Sequence, residues 1–240
     1  MDPATSGEQW EDHVGQFDTF KRRVVDTARL LIEKDYFKGT AGNLSVRAEG
    51  HQAFAITPSN YDYTQMSPDD VCVLDWKMNV LEGTMKPSIE SGMHAAVYQT
   101  RADANAVIHS HQVYASTLAL IDAPIPPLFD EQVRFLGRSV DIISYAPSGT
   151  AFLKRNVKSR LRNGHNAYIL QNHGVLVLGP SAERAVHNLE LLEKCALAYL
   201  LALCTGRKVT RIPLAIREIA FAKLRQDEKK FAKNSSSFRA

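Results

Sequence analysis

Two apolar runs, 167–171 and 175–178, are separated by only Asn172, His173 and Gly174. A parallel pair needs a crossover of a dozen residues or more, so three residues force these runs to pair antiparallel. The runs 41–47 and 53–57 meet across a Glu49-Gly50 turn and read as a second hairpin. Further strand patterns lie at 71–75, 79–83, 106–111 and 140–143. Between and around them the spacing predicts helices. Phe17, Phe20, Val24, Ala28 and Leu31 step by three or four residues within 14–34. Others follow at 89–100, 112–120, 149–162, 181–205 and 212–231. The fifth starts at the N-cap Ser181, stops at Gly206 and buries Leu189, Leu192, Ala196, Tyr199 and Leu203. Pro124, Pro126 and Pro127 keep 122–128 extended. The expectation is an α/β fold, with a mixed or antiparallel sheet covered by helices on both sides. With no repeat and no linker, 13–232 reads as one domain between a flexible N-terminus, 1–12, and a flexible tail, 233–240.

Composition narrows the function. The 29 basic and 26 acidic residues are too balanced to argue for nucleic acid, and the excess gathers in the run 223–233, which reads as a solvated helix or tail. Cys72, Cys195 and Cys204 are scattered and odd in number, which fits a reducing cytoplasm better than a disulfide framework. No apolar span approaches the ~20 residues of a membrane helix, and the first residues lack the basic and apolar regions of a signal peptide. A cytoplasmic chain with no membrane partner is expected.

The chemistry centres on His109 and His111. If 106–111 is a strand, its side chains alternate, so both imidazoles leave one face and can converge on a metal. The following Gln112-Val113-Tyr114 lacks the acidic residue and further histidine of a metallo-β-lactamase-type site. No glutamate follows as in a cupin, and the motif is not on a first strand as in amidohydrolases. A third histidine, His173, stands at another strand end. With Glu90 at a helix start, the set offers four N and O ligands, the number that zinc favours. Each residue has an ordinary alternative: a first-turn glutamate complements the helix dipole, and a histidine beside glycine is a turn residue. His94 packs or hydrogen-bonds one turn after Glu90, and His13, His51, His165 and His187 look peripheral. Arg155, Lys158, Arg160 and Arg162 read as a solvated helix face.

Gly42-Asn43 and Ser59-Asn60 sit at strand-to-turn junctions, where backbone N–H groups can form anion-binding nests. Ser88 at a helix start adds a hydroxyl and the helix dipole. Ordinary turn chemistry is the alternative.

Assembled, these motifs resemble the class II aldolase/adducin family, and most of all its fuculose-phosphate-aldolase branch. The resemblance runs from about Phe17 to Arg207. It rests on the segments 39–47, 56–60, 87–90, 103–111 and 171–175, which hold Gly42, Asn43, Ser59, Asn60, Ser88, Glu90, His109, His111 and His173. It implies a three-layer αβα domain with a central, largely antiparallel mixed sheet, and a homotetramer with active sites at subunit interfaces. It implies one zinc or other divalent ion per chain on His109, His111 and His173, with Glu90 as ligand and catalytic acid/base. In phosphate-using members, Gly42, Asn43, Ser59, Asn60 and Ser88 fall where the phosphate is held.

The implied activity is retro-aldol cleavage of a ketose 1-phosphate to dihydroxyacetone phosphate and an aldehyde through a metal-stabilised enediolate. Two departures bear on it. Ile89 stands where the aldolases usually carry a second serine, and the family's proton-donating tyrosine falls at about Asp130, which with Glu131 is the candidate to replace it. The epimerase branch typically has aspartate where this chain has Glu90. The same fold and metal also serve pentulose-phosphate 4-epimerases, dehydratases and 3-oxo-acid decarboxylases. A non-catalytic adducin-like interaction module would not need the three histidines and Glu90.

Overall fold

The computed structural model describes residues 15–237, with side chains described through residue 231. The strands are β1 (Asn43–Ala48), β2 (Ala53–Ile56), β3 (Cys72–Asp75), β4 (Val80–Glu82), β5 (Ala106–Ser110), β6 (Asp141–Ile143), β7 (Ala167–Leu170) and β8 (Gly174–Gly179). They form one sheet in the order β4-β3-β2-β1-β5-β8-β7-β6. Every neighbouring pair is antiparallel except β6 with β7. The hairpins expected at 41–57 and 167–178 are both present.

Alternation along the central strands sorts the side chains into two cores. Leu44, Val46, Ala106, Ile108, Val175 and Val177 pack on one side, against α1 (Asp18–Glu33), α3 (Val113–Leu120) and α6 (Ala182–Cys204). Phe54, Ile56, Val107, Tyr168, Leu176 and Leu178 pack on the other, against α2 (Ser91–Thr100) and α5 (Ala151–Arg160). The result is the three-layer αβα arrangement implied by the resemblance. Ser181 caps α6 by accepting from the Arg184 N–H, and Gly206 ends the helix region in the left-handed conformation, as the sequence predicts. No helix among the described residues is long and apolar enough to cross a membrane.

Four features differ from the sequence reading. A short helix, α4 (Asp130–Phe135), follows the proline-rich stretch. The last helix, α7 (Leu214–Ser237), runs beyond residue 231 and into the segment 233–240 expected to be flexible. Residues 1–12, expected to be flexible, and the final residues 238–240 lie outside the described residues. The basic run on α7 is also not wholly solvated. Its Glu228 is buried and accepts from Asn166, and its Arg225 pairs with Asp103 at 2.8 Å. Arg101 binds Asp103 through two bonds of 2.8 and 2.9 Å and donates to the His165 carbonyl. His165 is therefore buried beneath this clasp, where the sequence reading leaves it peripheral.

Both sheet edges are short. β4 and β6 have three residues each, and the register between β3 and β4 slips at Val73/Leu74.

Candidate active site

The register of β1 against β5 sets Asn43 opposite His109 and Ser45 opposite Val107. Asn43, Ser45 and His109 thus project from the same face, towards α2. Glu90 stands immediately before α2 as its N-cap residue. His111 lies just past the end of β5, and His173 lies in the turn between β7 and β8. That turn can approach β5 because residue 174 is glycine: a Cβ there would stand 2.5 Å from the Ser110 carbonyl oxygen and 2.7 Å from the His111 ring. Gly42, at φ +88°, plays the same part from the other side, where a Cβ would lie 2.9 Å from the His109 carbonyl oxygen.

Four groups converge as a result. One nitrogen from each of His109, His111 and His173 lies within 4.8 Å of the others. The Nε2 atoms of His109 and His111 are 3.1 Å apart. Glu90 reaches both neighbours, with Oε2 3.1 Å from His109 Nε2 and Oε1 3.3 Å from His173 Nε2. The Val175 carbonyl accepts from His109 Nδ1 at 2.8 Å, which leaves Nε2 as the lone-pair nitrogen. Among the described residues, Glu90 Oε1 and His173 Nδ1 are buried without a hydrogen-bond partner.

Electrostatics favour neutral rings at His109 and His111 beside an ionised Glu90 carboxylate. Burial, helped by His173 and His111, pushes His109 down to about 4 against the pull of Glu90. Burial and His173 also lower His111. Burial raises the Glu90 carboxyl, but His109, the Asn43 hydrogen bond, His173 and His94 outweigh it and bring Glu90 below the ordinary carboxylate value. Lone pairs 3.1 Å apart repel unless a proton or cation lies between them. Three neutral imidazoles with one carboxylate form a donor set that fits a divalent metal such as zinc.

A cleft of about 200 Å³ opens over this group, and Gly42, Asn43, Ser59, Asn60 and Ser88 all line it with Glu90, His111 and His173. The structure therefore brings the expected phosphate-binding residues and the expected metal ligands together. Asn60 has φ +53°, the left-handed backbone found in anion nests. The Ser59 N–H is taken by the Lys86 carbonyl. The Ser88 hydroxyl accepts from the Glu90 N–H, so its own proton is free to donate. Ile89, 59% exposed, lines the cleft as well. His111 also borders a second cleft of about 390 Å³, walled by Asp35, Lys38, Tyr114 and Glu193.

Asp130 is not part of this group within one chain. It is exposed on the first turn of α4, where Glu131 pairs with Lys194 at 3.1 Å. Sequence reading missed one polar contributor. Ser148, whose hydroxyl is 3.1 Å from His173 Nε2, has the same kind of signal as Ser59, a turn serine beside proline. His94, expected to pack or hydrogen-bond one turn after Glu90, bonds Asn43 and Ser45 from α2.

Comparison with known proteins bears on the family and the fold. Residues 22–200 match the family model described as the class II aldolase and adducin N-terminal domain. An L-fuculose phosphate aldolase of Methanococcus maripaludis is 30% identical over 172 residues, covering 72% of this chain and 91% of its own. A 5-deoxy-D-ribulose 1-phosphate aldolase of Bacillus thuringiensis is 31% identical over 179 residues, covering 75% of this chain and 83% of its own. The solved structure of an L-fuculose 1-phosphate aldolase superimposes with a TM-score of 0.81 at 35% identity, over 86% of this chain and 96% of its own.

Proposed function

The chain belongs to the class II aldolase and adducin family, and from that premise we propose that it is a metal-dependent lyase that cleaves a ketose 1-phosphate into dihydroxyacetone phosphate and an aldehyde. One observation carries this reading: His111, His173 and Glu90 line the same cleft as Gly42, Asn43, Ser59, Asn60 and Ser88, with His109 directly behind.

In this reading His109, His111 and His173 would hold the ion, taken to be zinc, with Glu90 as a further ligand. When bound, the ion supplies Lewis-acid stabilisation of negative charge developing on substrate oxygens. Gly42, Asn43, Ser59, Asn60 and Ser88 would hold the phosphate through backbone N–H and side-chain donors. The larger cleft beside His111 gives room to the aldehyde half.

Proton transfer is simplest to follow in the condensation direction. Ionised Glu90 takes a proton from C3 of dihydroxyacetone phosphate, and the electron pair left on C3 forms the new bond to the aldehyde carbon. The aldehyde oxygen then takes up a proton to become the C4 hydroxyl. Cleavage reverses each step: the C4 hydroxyl loses its proton, the C3–C4 bond breaks, and Glu90 returns its proton to C3. Asp130 would serve the C4 oxygen only in an assembly where a neighbouring copy carries it to the cleft, as in the homotetramer this reading takes for the protein.

The test combines metal analysis with a product screen. Protein purified without a metal-affinity step should carry about one zinc per chain and release dihydroxyacetone phosphate from one or more ketose 1-phosphates. Glu90→Gln should retain metal and lose about 10²- to 10⁴-fold in turnover. Appearance of an epimer, a dehydrated product or CO2 instead would assign the site to the epimerase, dehydratase or decarboxylase chemistry. Absence of both metal and turnover would leave an interaction module.

A further inference from the structure

We propose that His94 is a positioning residue: its Nε2–H fixes the side-chain amide of Asn43, which holds one oxygen of Glu90 and leaves the other free to exchange a proton with substrate. The inference rests on the reading of Glu90 as the proton-exchanging group. Its physical basis is a line of buried polar groups running between α2 and β1. Glu90, His94 and Tyr98 are spaced four residues apart, so they form one stripe along the helix. Asn43 and Ser45, two residues apart on β1, face that stripe. The Tyr98 hydroxyl is 2.7 Å from Ser45 Oγ, which is 2.6 Å from His94 Nδ1. His94 Nε2 is 2.6 Å from Asn43 Oδ1, and Asn43 Nδ2 is 2.9 Å from Glu90 Oε2.

Chemistry permits one direction along this line. An ionised carboxylate only accepts, so Asn43 must face Glu90 with its NH₂ group. Asn43 Oδ1 then faces His94, and Nε2 must carry the ring proton. In a neutral ring Nδ1 is therefore the acceptor, so Ser45 donates to it and Tyr98 donates to Ser45. A doubly protonated ring is disfavoured. His94 is fully buried, its hydrogen-bond partners are a hydroxyl and an amide oxygen, and burial pushes it down to about 3, with His109 adding and Glu90 opposing.

The chain of donors ends on a functional asymmetry. Glu90 Oε2 receives the Asn43 N–H and faces His109, whereas Oε1 faces His173 Nε2 at 3.3 Å and receives no hydrogen bond. If Asn43 turned its amide over, Oδ1 would oppose Oε2 and the carboxylate would lose its donor. With its proton on Nε2, His94 opposes this, because the turned amide would set two N–H donors against each other.

The test uses the full-length protein and has two readouts. Long-range ¹H–¹⁵N NMR of the histidine rings at neutral pH should show His94 as the neutral tautomer with its proton on Nε2. His94→Gln keeps an N–H near the Nε2 position, and His94→Asn keeps a polar group only near Nδ1. With the substrate found in the product screen, the Asn variant should lose about 10- to 100-fold, more in kcat than in KM. The Gln variant should stay within a few-fold of the parent, at a similar Tm to the Asn variant. A proton on Nδ1 or an imidazolium ring would overturn the proposal, as would equal loss in both variants at equal stability. If no aldolase substrate is found, the aldolase reading fails, while the ring tautomer still decides whether His94 orients Asn43.

Discussion

Replacing Gly174 by alanine isolates the close approach of the β7–β8 turn to the strand that carries His109. The added Cβ would lie 2.5 Å from the Ser110 carbonyl oxygen, about half an ångström nearer than Cβ atoms come to other atoms, and 2.7 Å from His111 Cδ2. Gly174 does not have a positive φ, so alanine adds steric conflict and no Ramachandran strain. The Ser110 carbonyl belongs to the β5–β8 ladder and cannot rotate away as a flexible side chain could. Overpacking of this kind costs about 1–3 kcal/mol, and the lower entropy of an unfolded alanine chain returns about 0.4–1 kcal/mol. The net loss, about 1–2 kcal/mol, corresponds to a fall in Tm of about 2–8 °C for a domain of this size. The same shift should separate His111 from His109 and weaken metal binding by about 10- to 100-fold, as loosening a ligand's support does. Thermal unfolding of the metal-free protein and competition with a chromophoric zinc chelator measure the two effects separately. Unchanged Tm together with unchanged zinc affinity would refute the argument that this glycine is required by contact.

Two further outcomes follow from the structure. His109→Ala removes the fully buried member of the proposed ligand set and should take bound zinc from about one per chain to none, measured by elemental analysis of protein that still folds by circular dichroism. At Asp103, burial acts to raise the carboxyl, but Arg101 and Arg225 hold it well below the ordinary carboxylate range. A depressed folded value contributes stability that is fully present above about pH 4 and is lost as pH falls below it. Asp103→Asn should cost on the order of 3–5 kcal/mol at neutral pH and flatten the acid limb of a Tm-against-pH curve; an unchanged acid limb would refute the assignment.

The order of strands and helices was legible because its links leave little choice. A three-residue join between the runs at 167–171 and 175–178 permits only a hairpin, and the stripe Val24, Ala28, Leu31 permits only an amphipathic helix. The six-residue α4 was not legible, since so short a helix after three prolines carries too little periodicity to register. The burial of Glu228 and His165 and the pairing of Arg225 with Asp103 were hidden for another reason. Both depend on Arg101 and Asp103, more than sixty residues away in sequence, and a lysine-rich stretch looks solvated on its own terms. At the site, the histidines, the glutamate and the turn residues that line one cleft were readable from spacing, whereas the line from Tyr98 to Asn43 exists only after α2 lies along β1.

The sheet's two three-residue margins bear on how copies of this chain can meet. A long, flat margin would offer unpaired backbone groups to another molecule and invite strand-to-strand growth. Here β4 is brief and irregularly registered and β6 is brief, so eight strands are stacked side by side with almost no template left at either end. Any self-association would thereby be steered to the helical layers, where side-chain shape rather than generic backbone bonding selects the partner. Val113, Leu120 and Ile121 are exposed apolar side chains on and just after α3, in one of those layers.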